Sequence, residues 1–305
     1  MSSEKKVCAR VENVKESGEI SILELPELVL DSILMKLSPA SLFTMAGVCK
    51  SLREMCRSDH VWERHMERKW GRVIGAAAHR EWQAYLTMKN ESLSKAKNKG
   101  FLGSLSTEFG AKPPMNSLPD GSIMSWYLFI EKGKFWFPAQ VYNREQLSCY
   151  DAQICYDCHT DTFTARYPPY GTMEGGVQWE RLRDPPVVIS AHELHVSDCL
   201  NELRPGDHIE IQWRSNTEYL YGWWYAVVGH LESCNQTDNH CQCHDSDTII
   251  VEFNQYSICQ RTIIDRNNHF EEGNETEGFY GGVRKLNSKD EIAMWKQLWP
   301  SEALE

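Results

Sequence analysis

The sequence has no apolar run approaching the ~20 residues that a membrane-spanning helix needs. Its first twenty residues, Met1 to Ile20, are polar and charged and lack the apolar stretch of a secretory signal. Both absences point to the cytoplasm or nucleus, where thiols stay reduced. The eleven cysteines are odd in number, which also argues against a disulfide framework. Basic charge is scarce: the chain carries a formal net charge of −11. The deficit is concentrated late, with 10 Lys+Arg against 8 Asp+Glu over residues 21–90 but 18 against 31 over 91–305. That balance is the opposite of a nucleic-acid binder's footprint. There is no Gly-rich phosphate loop, no nucleophile elbow and no paired metal-ligand helix motif, so known catalytic signatures are missing as well.

What is present is enough for a real core: 305 residues, 41% of them hydrophobic, with eleven Trp. Four sections can be read. Residues 1–20 form a polar tail and residues 21–88 a compact helical unit. Residues 89–120, rich in Lys, Ser, Gly and Pro, read as a linker. Residues 121–305 consist of short aromatic and β-branched runs broken by turn residues, the pattern of a β-rich domain. The predicted fold class is therefore α+β: a helical unit, then a β-rich domain ending in a helix.

Within the helical unit, Leu25-Pro26-Glu27 opens a helix whose Leu30, Ile33, Leu34 and Leu37 share one apolar stripe. Ser38 caps the next helix, with Pro39 at its first position. Leu42, Met45, Cys49 and Leu52 continue along one face of it. A third start at Ser58-Asp59 carries Val61, Trp62 and Met66, with Gly71 as its stop. A further helix over Ala76 to Met88 is expected to bury Trp82, Tyr85 and Leu86.

Residues 23–65 resemble the F-box along their whole length. The resemblance rests on Leu25-Pro26, the Ile33-Leu34-x-x-Leu37 stripe, Ser38-Pro39, Val48-Cys49-Lys50 and Asp59-x-x-Trp62, in that order and spacing. It implies a non-catalytic protein that binds a Skp-type adaptor, and through it a cullin, as the substrate-recognition subunit of an SCF-type ubiquitin ligase. The adaptor-binding residues it implies are Leu25, Pro26, Leu28, Val29, Ile33, Leu34, Leu37, Leu42, Val48, Cys49, Leu52 and Trp62. Physics supports such a surface, because three short helices cannot bury all their apolar residues among themselves. The whole chain is also similar to plant F-box proteins through Gly133–Ala139, His195–Leu200, Gly206–Trp213 and Tyr221–Tyr225. Against those relatives the passage Glu145–Leu147 is short, which predicts an incomplete strand or hairpin there.

Strands are expected at Ser125–Glu131, Phe135–Tyr142, Val187–Ile189, His208–Trp213, Trp223–His230 and Thr248–Tyr256. The segments from Gly206 and from Gly222 resemble the first hairpin of an SH3-like or Tudor-like barrel. On the sharper reading, Tyr219, Tyr221, Trp223 and Tyr225 form a cage for a methylated lysine. On the plainer and favoured one they are core and cross-strand packing.

Two groups of thiols and imidazoles invite a structural zinc: Cys155-x-x-Cys158-His159, and Cys234 with His240, Cys241, Cys243 and His244. The second group is the preferred anchor, although reduced thiols without metal are the default, so no cofactor is required. A Cys–His hydrolase couple could be imagined, for example Cys199 with His195, but no nucleophile motif supports it. At the C-terminus, Ser288 caps a helix with Glu291 three residues on, Ile292, Trp295 and Trp299 on one face and Pro300 as its stop. The expected protein is thus an adaptor-docked receptor for an unidentified protein substrate. The alternative is a methyl-lysine or zinc-dependent peptide-binding module without ligase activity.

Overall fold

The computed structural model describes residues 22–98, 121–186, 191–232, 234, 241, 243–253 and 260–298. The tail at 1–20, the strand expected at Val187–Ile189, and Trp299 with Pro300 lie outside them. The chain divides into two compact units between His65 and Met66. The architecture is α+β, with seven α-helices and eleven strands among the described residues.

In the first unit, helix α1 (Glu27–Leu34) follows Pro26, whose φ of −53° is already helical while its ψ of 141° is extended. Helix α2 (Pro39–Ala46) starts at Ser38, whose hydroxyl accepts from the Ser41 amide at 3.2 Å with Pro39 behind it. The expected continuous helix through Leu52 is instead two. Gly47 and Val48 break the run, and α3 (Lys50–Met55) starts afresh with the Cys49 thiol accepting from the Leu52 amide at 3.5 Å. Helix α4 (Asp59–Trp70) then begins, and the indole of Trp62 donates to the Cys56 carbonyl at 2.8 Å. Leu30, Leu34, Leu42, Leu52, Cys56, Val61 and Trp62 form the small core.

The second unit takes over from Met66. Trp70, fully buried, lies among Tyr156 at 5.0 Å, Trp179 at 5.1 Å and Phe163 at 6.2 Å. Helix α5 (Ala76–Asn98) buries Trp82 against Trp126, Phe129 and Phe135. Two expectations fail here. Residues 89–98 continue α5 rather than opening a linker, and α5 belongs to the second unit rather than to the helical unit at 21–88. The expected strand at Ser125–Glu131 is helix α6 (Ile123–Glu131), capped by Ser122, which accepts from the Ser125 amide. Its apolar run has no period-2 alternation, and buries Trp126, Tyr127 and Ile130 on one face.

All strand pairings are antiparallel. Strand β1 (Phe137–Asn143) pairs along its length with β2 (Ser148–Asp157). The short passage at 144–147 closes a complete hairpin, since the Asn143 carboxamide accepts from the amides of Glu145 and Gln146 and Leu147 sits at φ +50°. The expectation of an incomplete element there is corrected. The later half of β2 pairs with β3 (Thr162–Tyr167), which pairs with β4 (Thr172–Val177); β5 (Leu182–Arg183) lies on the far side of β1. The start of β2 meets β7 (Gly222–Gly229) at Cys149 opposite Trp223. Strand β6 (His208–Arg214) forms the expected hairpin with β7, from His208 opposite Val227 to Trp213 opposite Gly222. Beyond β7 lie β8 (Thr248–Phe253) and β9 (Gln260–Asp265), and beyond β6 lie β11 (Gly278–Lys285) and β10 (Glu272–Asn274).

Strand β7 separates two cores. Trp223 and Tyr225 face Tyr142, Leu147, Leu286, Trp295 and Leu298. Ala226 and Val228 face Ile209, Ile211, Ile249, Val251 and Val283. Helix α7 (Lys289–Lys296), capped by Ser288 accepting from the Asp290 amide, seats Trp295 in the first of these cores. It also covers a buried charge. Glu210 is fully buried, and meets Arg183, Arg284 at 2.9 Å and the Trp295 indole N–H. Burial by itself would raise the Glu210 pKa, but the two guanidiniums overcome it and hold it at about 2. Gly282 is required by a close approach, because a Cβ there would lie 2.1 Å from the His195 carbonyl oxygen.

Candidate functional site

The first unit has apolar side chains that its own helices do not cover. On α1, Leu30 and Leu34 point inward. At 3.6 residues per turn Leu28 lies roughly 200° around the helix from Leu30. Leu28 is 81% exposed and Val29 45%. Val48, in the break between α2 and α3, is 70% exposed, and Phe43 on α2 is 40% exposed, its ring tilted against Trp62 with centroids 5.6 Å apart. Pro26 is exposed, and Leu25, Ile33, Leu37 and Cys49 are half-buried. A helix apolar on both faces is the mark of an element awaiting a partner.

The residues expected to bind an adaptor therefore separate into two sets. Pro26, Leu28, Val29 and Val48, with parts of Leu25, Ile33, Leu37 and Cys49, are available at the surface. Leu34, Leu42, Leu52 and Trp62 are at most 1% exposed, so they shape the face from beneath rather than touch what lands on it. Phe43 was missed by the sequence reading. Its signal was faint: an aromatic next to a core Leu, about 100° off the buried stripe. Cys56 is a packed thiol, its pKa raised by burial and then by the neighbouring Cys49.

The residues expected as an aromatic cage do not form one. Tyr221, Trp223 and Tyr225 are buried. The Tyr221 ring already carries the Arg214 guanidinium at 4.6 Å and its hydroxyl donates to Glu271 at 2.7 Å. Trp223 packs on His195, and the Tyr225 hydroxyl is hydrogen-bonded to His208 Nδ1. Only Tyr219 is exposed among the four. Alternation along β7 sends Trp223 and Tyr225 into a core, while Tyr221, just before the strand, is held by Arg214 and Glu271, so the rings do not converge on one open cage.

The thiol clusters resolve differently from expectation. Cys234, Cys241 and Cys243 come together, but their fourth neighbour is His230, at the end of β7. His240 and the side chain of His244 lie outside the described residues. Cys155 donates to the Gly133 carbonyl at 3.3 Å, and Cys158 and His159 sit with Asp157 in a separate exposed group, so the two clusters do not meet. The sequence reading missed His230 because it ended a strand, where a histidine reads as sheet. Its cue was position: it follows directly on β7, at the base of the long connection to β8. Cys199 donates to the Val283 carbonyl at 3.5 Å, and burial raises its pKa, which keeps it a resting thiol.

The second unit also has a concavity. A cavity of about 550 Å³ runs between α5 and the β1–β2 hairpin, lined by Arg80, Glu81, Pro138, Gln153 and His192. It adjoins one of about 300 Å³ bounded by Tyr150, Tyr167 and Thr172, and the two share Asp151, Pro168, Ala191 and Leu220. Burial raises the pKa of Asp151, although Gln140 donates to it at 2.7 Å and Arg183 opposes the rise. No helix among the described residues is long and apolar enough to cross a membrane.

Comparison with known proteins agrees with the N-terminal geometry. The F-box-like family model matches residues 22–68, the span that holds α1 to α3 and most of α4. The chain is 53% identical over 314 aligned residues to the F-box protein At2g26850 of Arabidopsis thaliana, covering 94% of this chain and 85% of that protein. It is 47% identical over 323 aligned residues to the F-box protein At2g41170 of the same plant, covering 96% and 87%. With an apolar helical face in the matched segment and relatives of this identity spanning both units, the chain belongs to the F-box protein family.

Proposed function

We propose that this protein is the substrate-recognition subunit of an SCF-type ubiquitin ligase, docking a Skp-type adaptor, and through it a cullin, with its first unit. The observation that carries the reading is the uncovered apolar set Leu28, Val29, Phe43 and Val48 within the F-box-like segment. Side chains this exposed contribute little to the unit's own core, and they acquire a stabilising role when a partner removes them from water. The protein has a receptor's role in that complex, with no catalytic step of its own. The acceptor lysine would be presented by a protein substrate held on the second unit, where the paired cavities around Asp151 and Leu220 offer the concave surface.

The test is co-purification of the full chain with a Skp-type adaptor, comparing wild type with Leu28→Asp and Val48→Asp. Both sites are exposed, so the variants should fold as wild type does by circular dichroism. Losing an apolar anchor at the centre of an interface costs about 2–4 kcal/mol, or roughly thirtyfold to several hundredfold in affinity. Undiminished binding by both variants would exclude this face as the docking surface, and an absence of binding by wild type would remove the receptor reading.

A further inference from the structure

We infer that the connection between β7 and β8 holds a structural zinc ion on His230, Cys234, Cys241 and Cys243. The four side chains bring one Nδ1 and three Sγ atoms within 4.8 Å of one another. The Cys234 and Cys241 sulfurs are 3.7 Å apart, and His230 Nδ1 lies 3.6, 3.4 and 3.8 Å from the sulfurs of Cys234, Cys241 and Cys243. A tetrahedral zinc with Zn–S of about 2.3 Å and Zn–N of about 2.0–2.1 Å requires edges of about 3.8 Å between sulfurs and about 3.6 Å between sulfur and nitrogen. These four edges match that tetrahedron, and the remaining two, from Cys243 to the other sulfurs, are within 4.8 Å. They do not match a disulfide, whose sulfurs would stand about 2.05 Å apart.

The donor set decides the metal and its role. Three thiolates and one imidazole suit zinc, and four protein ligands leave no open position for substrate or water, which makes the site structural. The Leu231 amide points at the Cys243 sulfur at 3.4 Å, an outer hydrogen bond of the kind that steadies a metal-bound thiolate. Placement explains why the fold needs it. His230 follows the last residue of β7 and Cys243 opens the turn leading to β8, so one ion closes the base of a connection joining two paired strands. Nearby, Arg266, itself buried, reaches the carbonyls of Leu200, Leu203 and Cys243. The closed loop is thereby tied to the core beside β9. A metal clip that closes a long connection reduces its loop entropy.

The experiment uses the full chain, purified without added chelator. Elemental analysis should find about one equivalent of zinc per chain. Replacing the zinc with cobalt should give the visible absorption of a tetrahedral, thiolate-bound ion. Cys234→Ser with Cys241→Ser should lose both signals, while Cys158→Ser, in the separate exposed group, should keep them. A folded wild-type chain with less than roughly a tenth of an equivalent and no cobalt spectrum would overturn the inference. So would zinc that survives the double substitution. Because wild-type metal content and the cobalt spectrum decide the matter on their own, a double variant that fails to fold leaves the test intact.

Discussion

The two units of this chain treat their difficult residues in opposite ways. The first leaves apolar side chains in water: Leu28, Val29, Phe43 and Val48 are all at least 40% exposed. The second takes charge out of water: Glu210 is fully buried between Arg183 and Arg284, and α7 is laid over them. A small helical unit cannot enclose all its apolar surface, so an excess stays exposed. The larger β unit has material enough to cover both faces of its central strands, and polar residues on the second face are covered with the rest. On the proposed function, exposure in the first unit serves docking, whereas burial of charge in the second serves architecture.

That contrast can be broken most severely at Glu210. Glu210→Gln leaves the Arg183 guanidinium buried without its carboxylate, while Arg284 keeps Glu291 at 2.8 Å, and should destabilise the second unit by about 3–5 kcal/mol. Urea denaturation followed by tryptophan fluorescence would show it, and an unchanged midpoint would mean that water or rearrangement relieves the charge. Acid provides a milder version. The folded pKa of Glu210 lies at about 2, below the ordinary carboxylate value of 4.5. Its contribution is therefore fully present above about pH 4.5 and is lost as pH falls toward 2. The difference amounts to about 3 kcal/mol. A stability–pH profile should decline across that window in wild type and lose this component in Glu210→Gln.

In the first unit, Leu28→Asp should cost about 2–4 kcal/mol of adaptor binding while leaving the melting of the isolated chain within about 0.5 kcal/mol of wild type. A large loss of stability instead would show that Leu28 belongs to the fold and that the contrast is false. The smallest effects come from two helix caps of the same chemistry, one in each unit. Ser38→Ala and Ser288→Ala each remove a hydroxyl that accepts a backbone N–H, and each should cost about 1 kcal/mol. If only Ser288→Ala weakens the acid and urea resistance of the second unit, α7 is confirmed as the cover of the buried charges.

Much of the first unit was legible because its signals are local. Ser38-Pro39 marks a cap and a first turn, and the Leu30 and Leu34 spacing marks a buried stripe. Separating exposed from core positions was not legible, since Leu28 and Leu34 are the same residue type six positions apart on one helix, and only packing distinguishes them. In the second unit the β6–β7 hairpin was visible from its alternation. Strands β2 to β5 and β9 to β11 were not: β4, β9 and β10 bury few residues and are held by pairing, and β11 is interrupted by Gly278, Gly281 and Gly282. Ile209-Glu210-Ile211 reads as one buried and one wet face, because α7, more than seventy residues later, is what covers the second.

The sequence by itself determined the α+β division, the F-box resemblance, the principal caps and the presence of a thiol-rich connection, because each depends on residues close together along the chain. The tertiary structure alone decided which F-box residues face outward, that Tyr221, Trp223 and Tyr225 are core rather than a cage, and that His230 joins Cys234, Cys241 and Cys243. Those outcomes depend on what covers a surface and on which distant segments converge, and no local pattern of side chains encodes either.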